Sequence, residues 1–325
     1  MSVTVTDSPL GTLQQRMLGV GPGLPPVLQN HPTQSATTID GWGSVLFGLP
    51  FLLAGVGAAF AALYGNPARK HAPDWLIGLI ASFFFVGGAF FIIHGLRGAA
   101  RKAAYQSEAA LHPGQPWYAD YHWHAEGFTF SAFRATIGRL LFALFWSAFL
   151  VPFFWIGATA RGAWPFLLGA SLFALIGLYI WYRFVQMLAD LLLYGNSFLE
   201  YDQFPYFLGS TLNVRLRTPR NFSDLDELTL TLRCVTEKYV TTGLGQNRRS
   251  QVVCYELYKD QTTFSRDRLA AFAGANIPIQ FPLPAGKLTT SLISTPPTYW
   301  EIQATGTSSK VNYEAYFLVP VYKPS

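Results

Sequence analysis

VLFGLPFLLAGVGAAFAAL, residues 45–63, runs for 19 positions without a charged side chain. As a helix rising ~1.5 Å per residue, a stretch of this length spans close to the ~30 Å of bilayer hydrocarbon. Three further runs repeat the pattern: Trp75 to Leu96, Ile137 to Ala158, and Trp164 to about Tyr182. Lys, Arg, Asp and Glu are absent from all four between their flanking positions, with Arg139 standing at the mouth of the third. Four such rods predict a transmembrane bundle, and the lipid bilayer is the first partner the chain implies.

Composition agrees with that reading and divides the chain. Only 13% of the 325 residues are charged, against roughly 25% in a soluble domain. From Gly195 to Ser325 there are 13 Lys and Arg against 11 Asp and Glu, an ordinary solvated balance, whereas Gly41 to Tyr194 holds 9 and 5, nearly all in connections. The expected organisation is a Pro- and Gly-rich disordered tail over residues 1–40, a four-helix transmembrane domain over 41–194 with a loop at 97–136, and a soluble domain over 195–325. No basic run interleaved with aromatics occurs, so nucleic acid is not an expected partner. Gly19-x-Gly21-x-Gly23 lies among prolines with no strand before it, which argues against a phosphate-binding turn.

Eight of the nine Trp fall between Trp42 and Trp181. Trp42, Trp75, Trp164 and Trp181 stand at the ends of the apolar runs, where indoles anchor at the membrane interface. Ala54, Ala58 and Ala62, and Ala170 with Ala174, recur at helical spacing and suggest rows for close backbone approach. Pro50 and Pro152 predict kinks. No ionisable side chain lies inside a span and only His94 comes near, which disfavours a transport path. The bordering charges Arg97, Arg101, Lys102, Arg134, Arg139 and Arg183 outnumber Arg69, Lys70 and Arg161. By the positive-inside rule the tail, the long loop and the soluble domain face the cytoplasm. In that loop His122 and His124 would share one face of an extended segment, a weak candidate pair of metal ligands with no third in view. No other metal, cofactor or catalytic constellation stands out, and the Asp224, Asp226, Glu227 cluster reads as a solvated turn.

Beyond Tyr182 the spacing of Phe184, Met187, Leu188, Leu191 and Leu192 carries the fourth helix onward until Gly195-Asn196 stops it. From Gly209 the period changes to two. Leu212, Val214, Leu216; Leu228, Leu230, Leu232, Cys234; Ile277, Ile279, Phe281, Leu283; Trp300, Ile302; and Val311, Tyr313, Ala315, Phe317, Val319, Val321 each alternate with other residues. Short alternating segments between turn residues predict antiparallel sheets packed as a β-sandwich. Folding about Gly243-Leu244-Gly245 would set Cys234 across from Cys254. They are then either two free buried thiols or a cross-strand disulfide requiring an oxidising compartment.

The series "LGSTLNVRL", "LTLTLRCV", "VVCYELYK", "IPIQFPLP", "YWEIQAT" and "VNYEAYFLVPVY" resembles the strands of an arrestin-like β-sandwich lobe. With "PGQPWY" ahead of the third helix, the chain looks like a group of bacterial multi-pass membrane proteins with four helices followed by such a domain. The resemblance covers roughly Trp117 to Tyr322 and implies a place in the bacterial inner membrane. It implies no catalytic residue, since that group has no assigned activity. With no catalytic motif present, the expected function is a membrane-anchored interaction or scaffold module that binds a protein partner through its β-domain. Sandwich edges offer backbone groups for strand addition. Arg215, Arg217 and Arg220 are further candidates for contact with anionic headgroups. The alternatives are an oligomeric transporter or channel component, built from several copies of the chain, and a membrane-bound enzyme.

Overall fold

The computed structural model describes residues 25–29, 31–33, 41–64, 73–159, 164–218, 222, 225–242, 249–272, 276–294, 296–308 and 312–324. In chain order its elements are β1 (Val27–Leu28), α1 (Trp42–Tyr64), α2 (Asp74–Leu111), α3 (Pro116–Asp120), β2 (Gly127–Phe130), α4 (Ala132–Thr159), α5 (Trp164–Tyr194), β3 (Ser197–Tyr201), β4 (Tyr206–Phe207), β5 (Thr211–Arg217), β6 (Glu227–Thr242), β7 (Arg249–Ser265), α6 (Arg266–Ala271), β8 (Ile277–Pro282), β9 (Thr298–Thr307), β10 (Tyr313–Val319) and β11 (Val321–Tyr322). They form two compact units. One falls within residues 37–107 and 131–195, the other within 1–36, 108–130 and 196–325.

The four helices α1, α2, α4 and α5 are each long and apolar enough to cross a membrane. What draws α1 against α2 is a seam of small residues. Gly41, Gly48 and Gly55 on one side face Gly95, Gly88 and Ala81 on the other. A Cβ added at Gly48 would lie 2.7 Å from the Gly88 carbonyl oxygen, and one at Gly88 would run into the Leu52 nitrogen. Both rows step by seven, the period that keeps one face toward a partner in a left-handed supercoil. The second hairpin repeats it: Thr136, Ala143, Leu150 and Gly157 are buried on α4, Ala170 and Gly177 on α5. Trp146 donates its Nε1–H to the Phe173 carbonyl at 3.1 Å, and Trp181 donates to Ser147 Oγ at 3.0 Å. Phe83 of α2 packs on Phe145 and Phe149 of α4, which ties the two hairpins together. Without a hydrophobic force between helices in lipid, such dispersion contacts and hydrogen bonds carry the association.

Three expectations change here. The seam uses glycines, not the row Ala54, Ala58, Ala62: Ala54 is exposed and the other two only half-buried, although Ala170 is buried as expected. The second helix does not end at Leu96 but continues to Leu111. Past Gly98 the segment is rich in alanine, and no proline intervenes before Pro113, so helix propensity extends the rod beyond its apolar part. Trp42, Trp75 and Trp164 are exposed near helix ends, while Trp181 is half-buried within α5 and committed to Ser147. The α5 extension and its stop are as expected: Gly195 adopts φ 69° and its N–H bonds the Leu191 carbonyl at 2.9 Å.

The other unit is a β-sandwich. A five-stranded sheet in the order β1-β7-β6-β9-β10 faces a four-stranded sheet β2-β3-β5-β8, with β11 and β4 as a short parallel pair. Every described member of the alternating sets is buried, including Leu212, Leu230, Ile279, Trp300 and Phe317. Fully burying each such side chain is worth roughly 1.5–3 kcal/mol. Buried polar groups are paired across the layers, as where Tyr313 donates to Ser197 Oγ at 2.7 Å and Tyr201 donates to the Leu318 carbonyl at 2.6 Å.

The division of the chain differs from the expected boundaries in two places. Part of the expected tail is a strand, since Val27 and Leu28 pair with Tyr255 and Cys254. Residues 108–130 of the expected loop belong to the unit that holds the sheets. The reason is local chemistry: Asp120, Trp123 and Phe128 find their partners among the strands. Gly19-x-Gly21-x-Gly23, Arg69, Lys70, Arg161, Arg220, Asp224, Val311 and the Gly243-Leu244-Gly245 turn lie outside the described residues.

Candidate recognition surface

On β9 even-numbered residues such as Trp300 and Ile302 enter the sandwich core, so Tyr299, Glu301 and Gln303 project from the outer face of the five-stranded sheet. Alternation alone would leave them in water. Instead Tyr299 and Glu301 are buried, because residues 26–29 and 31–33 lie across this face as a strap. Pro26 accepts from the Glu256 N–H at 2.9 Å, which continues the β1–β7 pairing. Leu28 packs on a second small core made of Val235, Cys254, Tyr299 and Leu318, to which Tyr121, Trp123, Phe128 and Leu292 also contribute.

The strap ends in a polar contact. His31 Nε2 lies 2.6 Å from Glu301 Oε1, with side-chain exposures of 3% and 1%. The His31 ring meets Tyr316 edge-on at 5.5 Å. Beside this pair the Tyr299 hydroxyl donates to Glu237 Oε1 at 3.1 Å, so two buried carboxylates flank one phenol. Burial first, and then Glu301 and Glu237, hold the Tyr299 hydroxyl far above its ordinary range. Arg233 stands opposite Glu301 in the β6–β9 register but is engaged by Glu256 at 2.8 Å. Among the described residues Glu301 Oε2 has no hydrogen-bond partner. A buried carboxylate oxygen in this state is costly unless a cation or donor sits beside it.

Asp120 fastens the 116–130 segment. Its Oδ1 accepts the N–H groups of Leu292 at 2.5 Å and Ile293 at 3.1 Å, and its Oδ2 accepts the Tyr322 hydroxyl at 3.0 Å. Trp123 donates to that same hydroxyl oxygen at 2.9 Å. Burial raises the Asp120 carboxyl above its ordinary value, although all three donors pull the other way.

The remaining candidates fall elsewhere. His122 and His124 share an exposed face as expected, their rings 5.2 Å apart, with Tyr121 and Trp123 turned inward. Among the described residues no group of three metal-ligating side chains forms there or anywhere. Cys234 and Cys254 are both buried and free. They are not a cross-strand pair, because Cys234 faces Tyr258 and Cys254 faces Glu237. Thr242 pairs with Arg249, a register centred later than Leu244, and a bulge at Cys234/Val235 shifts it again. Arg215 and Arg217 pair with Asp202 at 3.1 Å and Glu200 at 2.7 Å, while Asp226 pairs with Arg266 at 3.5 Å. Sequence reading missed His31, Glu237 and Glu301. The one available signal was an acidic residue set between Trp300 and Ile302 in a strand.

Two of the sheet edges, β8 and β7, are unequally protected. On β8, Pro278 and Pro282 occupy positions of the same parity as Gln280, the parity whose backbone faces away from β5. Two of the three outward donors are therefore missing, a device that blunts an edge. Strand β7 has no such protection. Among the described residues its outer side is paired only at Cys254 and Tyr255, with the added bond at Glu256.

These features define a class: a membrane protein whose helical bundle is followed by an antiparallel β-sandwich. No protein-family model matches the chain, and no curated protein matches it.

Proposed function

We propose that this protein is a membrane-anchored interaction module. Its arrestin-like sandwich recognises a protein partner by strand addition along β7, while its helices fix it in the bacterial inner membrane with the sandwich on the cytoplasmic side. The observation that carries the reading is the β1–β7 pairing: β7 already accepts a strand from a distant part of the chain, over two residues of its 17. Backbone bonds along an edge supply affinity, and the side chains beside it supply selectivity.

The test uses the full chain in its own membranes, with a photo-crosslinking residue at Gln251 or Gln261, both exposed on β7. The expected result is one discrete adduct from the β7 positions, absent from equivalent positions on β8 and lost in Trp300→Ala. Trp300 is wholly buried, and truncating such a residue costs about 3–5 kcal/mol. Equal, diffuse labelling from both edges would remove the reading.

A further inference from the structure

The strap occupies β7 as a ligand would, and its chemistry describes what belongs there. It brings three things to the surface: backbone groups for the edge, an aliphatic side chain for the pocket of Val235, Cys254, Tyr299 and Leu318, and an imidazole for Glu301. The strand is only two residues long. A two-residue pairing adds few backbone bonds, so side-chain contacts hold most of it in place. The carboxylate of Glu301 is the second observation. It is almost completely buried, among the described residues keeps one oxygen without a hydrogen-bond partner, and stands opposite Arg233 in the β6–β9 register, which is engaged with Glu256. A group buried in that state is stabilised by donors beside it, and among the described residues the strap supplies one, His31.

We infer that the strap, residues 26–29 and 31–33, is a displaceable internal ligand, and that the site beneath it receives an extended segment of a partner protein bearing an aliphatic residue followed, three positions on, by a histidine, lysine or arginine. This rests on the strand-addition reading above and names the partner's chemistry. A lysine or arginine there would reach both oxygens of Glu301, so a partner strand carrying one would outcompete the strap.

The experiment takes the full chain in detergent and a variant with Val27→Ser, Leu28→Ser and His31→Ser. The probe is a fluorescent peptide, PPVLQNHPT, copying residues 25–33, followed by anisotropy. The variant should bind it saturably and at least tenfold more tightly than the wild type, whose site is already filled. Replacing the peptide's histidine by alanine should weaken binding at least fivefold, and Glu301→Gln in the protein should abolish that difference. A folded variant that fails to capture the peptide, or captures both peptides alike, overturns the inference. Should the variant not fold, hydrogen exchange on the wild type decides: Tyr255 and Glu256 amides opening well before those of β9 support a displaceable strap, and opening only with global unfolding refutes it. Capture without a crosslinked adduct in membranes upholds the site and removes the partner reading. An adduct without capture overturns the site and leaves the edge reading standing. An adduct at twice the chain's mass assigns the site to a second copy and overturns a foreign strand.

Discussion

Asp120 is a carboxylate whose surroundings favour its proton, and that fixes the direction of its pH dependence. Its folded-state pKa lies above the ordinary 3.8, so the folded chain holds the proton more firmly than the unfolded one. The stability it contributes is complete below about pH 3.8 and falls away as pH rises through the raised value. Asp120→Asn should flatten that slope in thermal unfolding scans of the detergent-solubilised chain, at a cost of about 1 kcal/mol, since the Leu292 and Ile293 donors keep an acceptor. Asp120→Ala strands all three donors and should cost several times more. The two thiols give a second residue-scale prediction. Burial pushes both Cys234 and Cys254 up to about 12, so neither supplies thiolate near neutrality. A disulfide-exchange reagent at pH 8 should leave the native chain unlabelled and titrate both residues only after denaturation.

The glycine seam makes its prediction at the scale of helices. Gly88→Ala drives a methyl against the backbone of Leu52, and the helices must part to admit it. The expected loss is about 1–3 kcal/mol, read as a lower unfolding temperature in detergent. Gly57→Ala is the internal comparison: a Cβ there meets nothing within 4 Å. It should be neutral or stabilising by up to about 1 kcal/mol, because alanine is the better helix former. At this scale most of the fold was legible. The four apolar runs became four helices, and the alternating residues from Leu212 to Val319 became the buried faces of strands. What misled were features that depend on a partner element. Alanines on α1 are as small as glycines, but only the seven-residue steps Gly41, Gly48, Gly55 and Ala81, Gly88, Gly95 coincide when two particular helices meet. Likewise the cysteine register depends on where a hairpin closes and on a bulge, neither of which alternation reports.

For the whole molecule, membrane orientation remains the proposal with the widest consequences. With the sandwich in the cytoplasm, a membrane-impermeant thiol reagent should leave Cys234 and Cys254 unmodified in sealed spheroplasts even under denaturant, which removes the protection that burial gives the native thiols. The same reagent added to opened, denatured membranes should modify both. Labelling in intact, denaturant-treated but unlysed spheroplasts would place the sandwich outside and reverse the positive-inside reading. Hydropathy and strand period by themselves determined that the chain has membrane-length helices and a two-sheet lobe, because those signals are local and repeat many times along a segment. Only the tertiary structure decided that Leu28 and His31 cover the outer sheet face and that Glu301 is buried there. Burial of an outward-facing side chain depends on which distant segment comes to lie over it, and no local period encodes that.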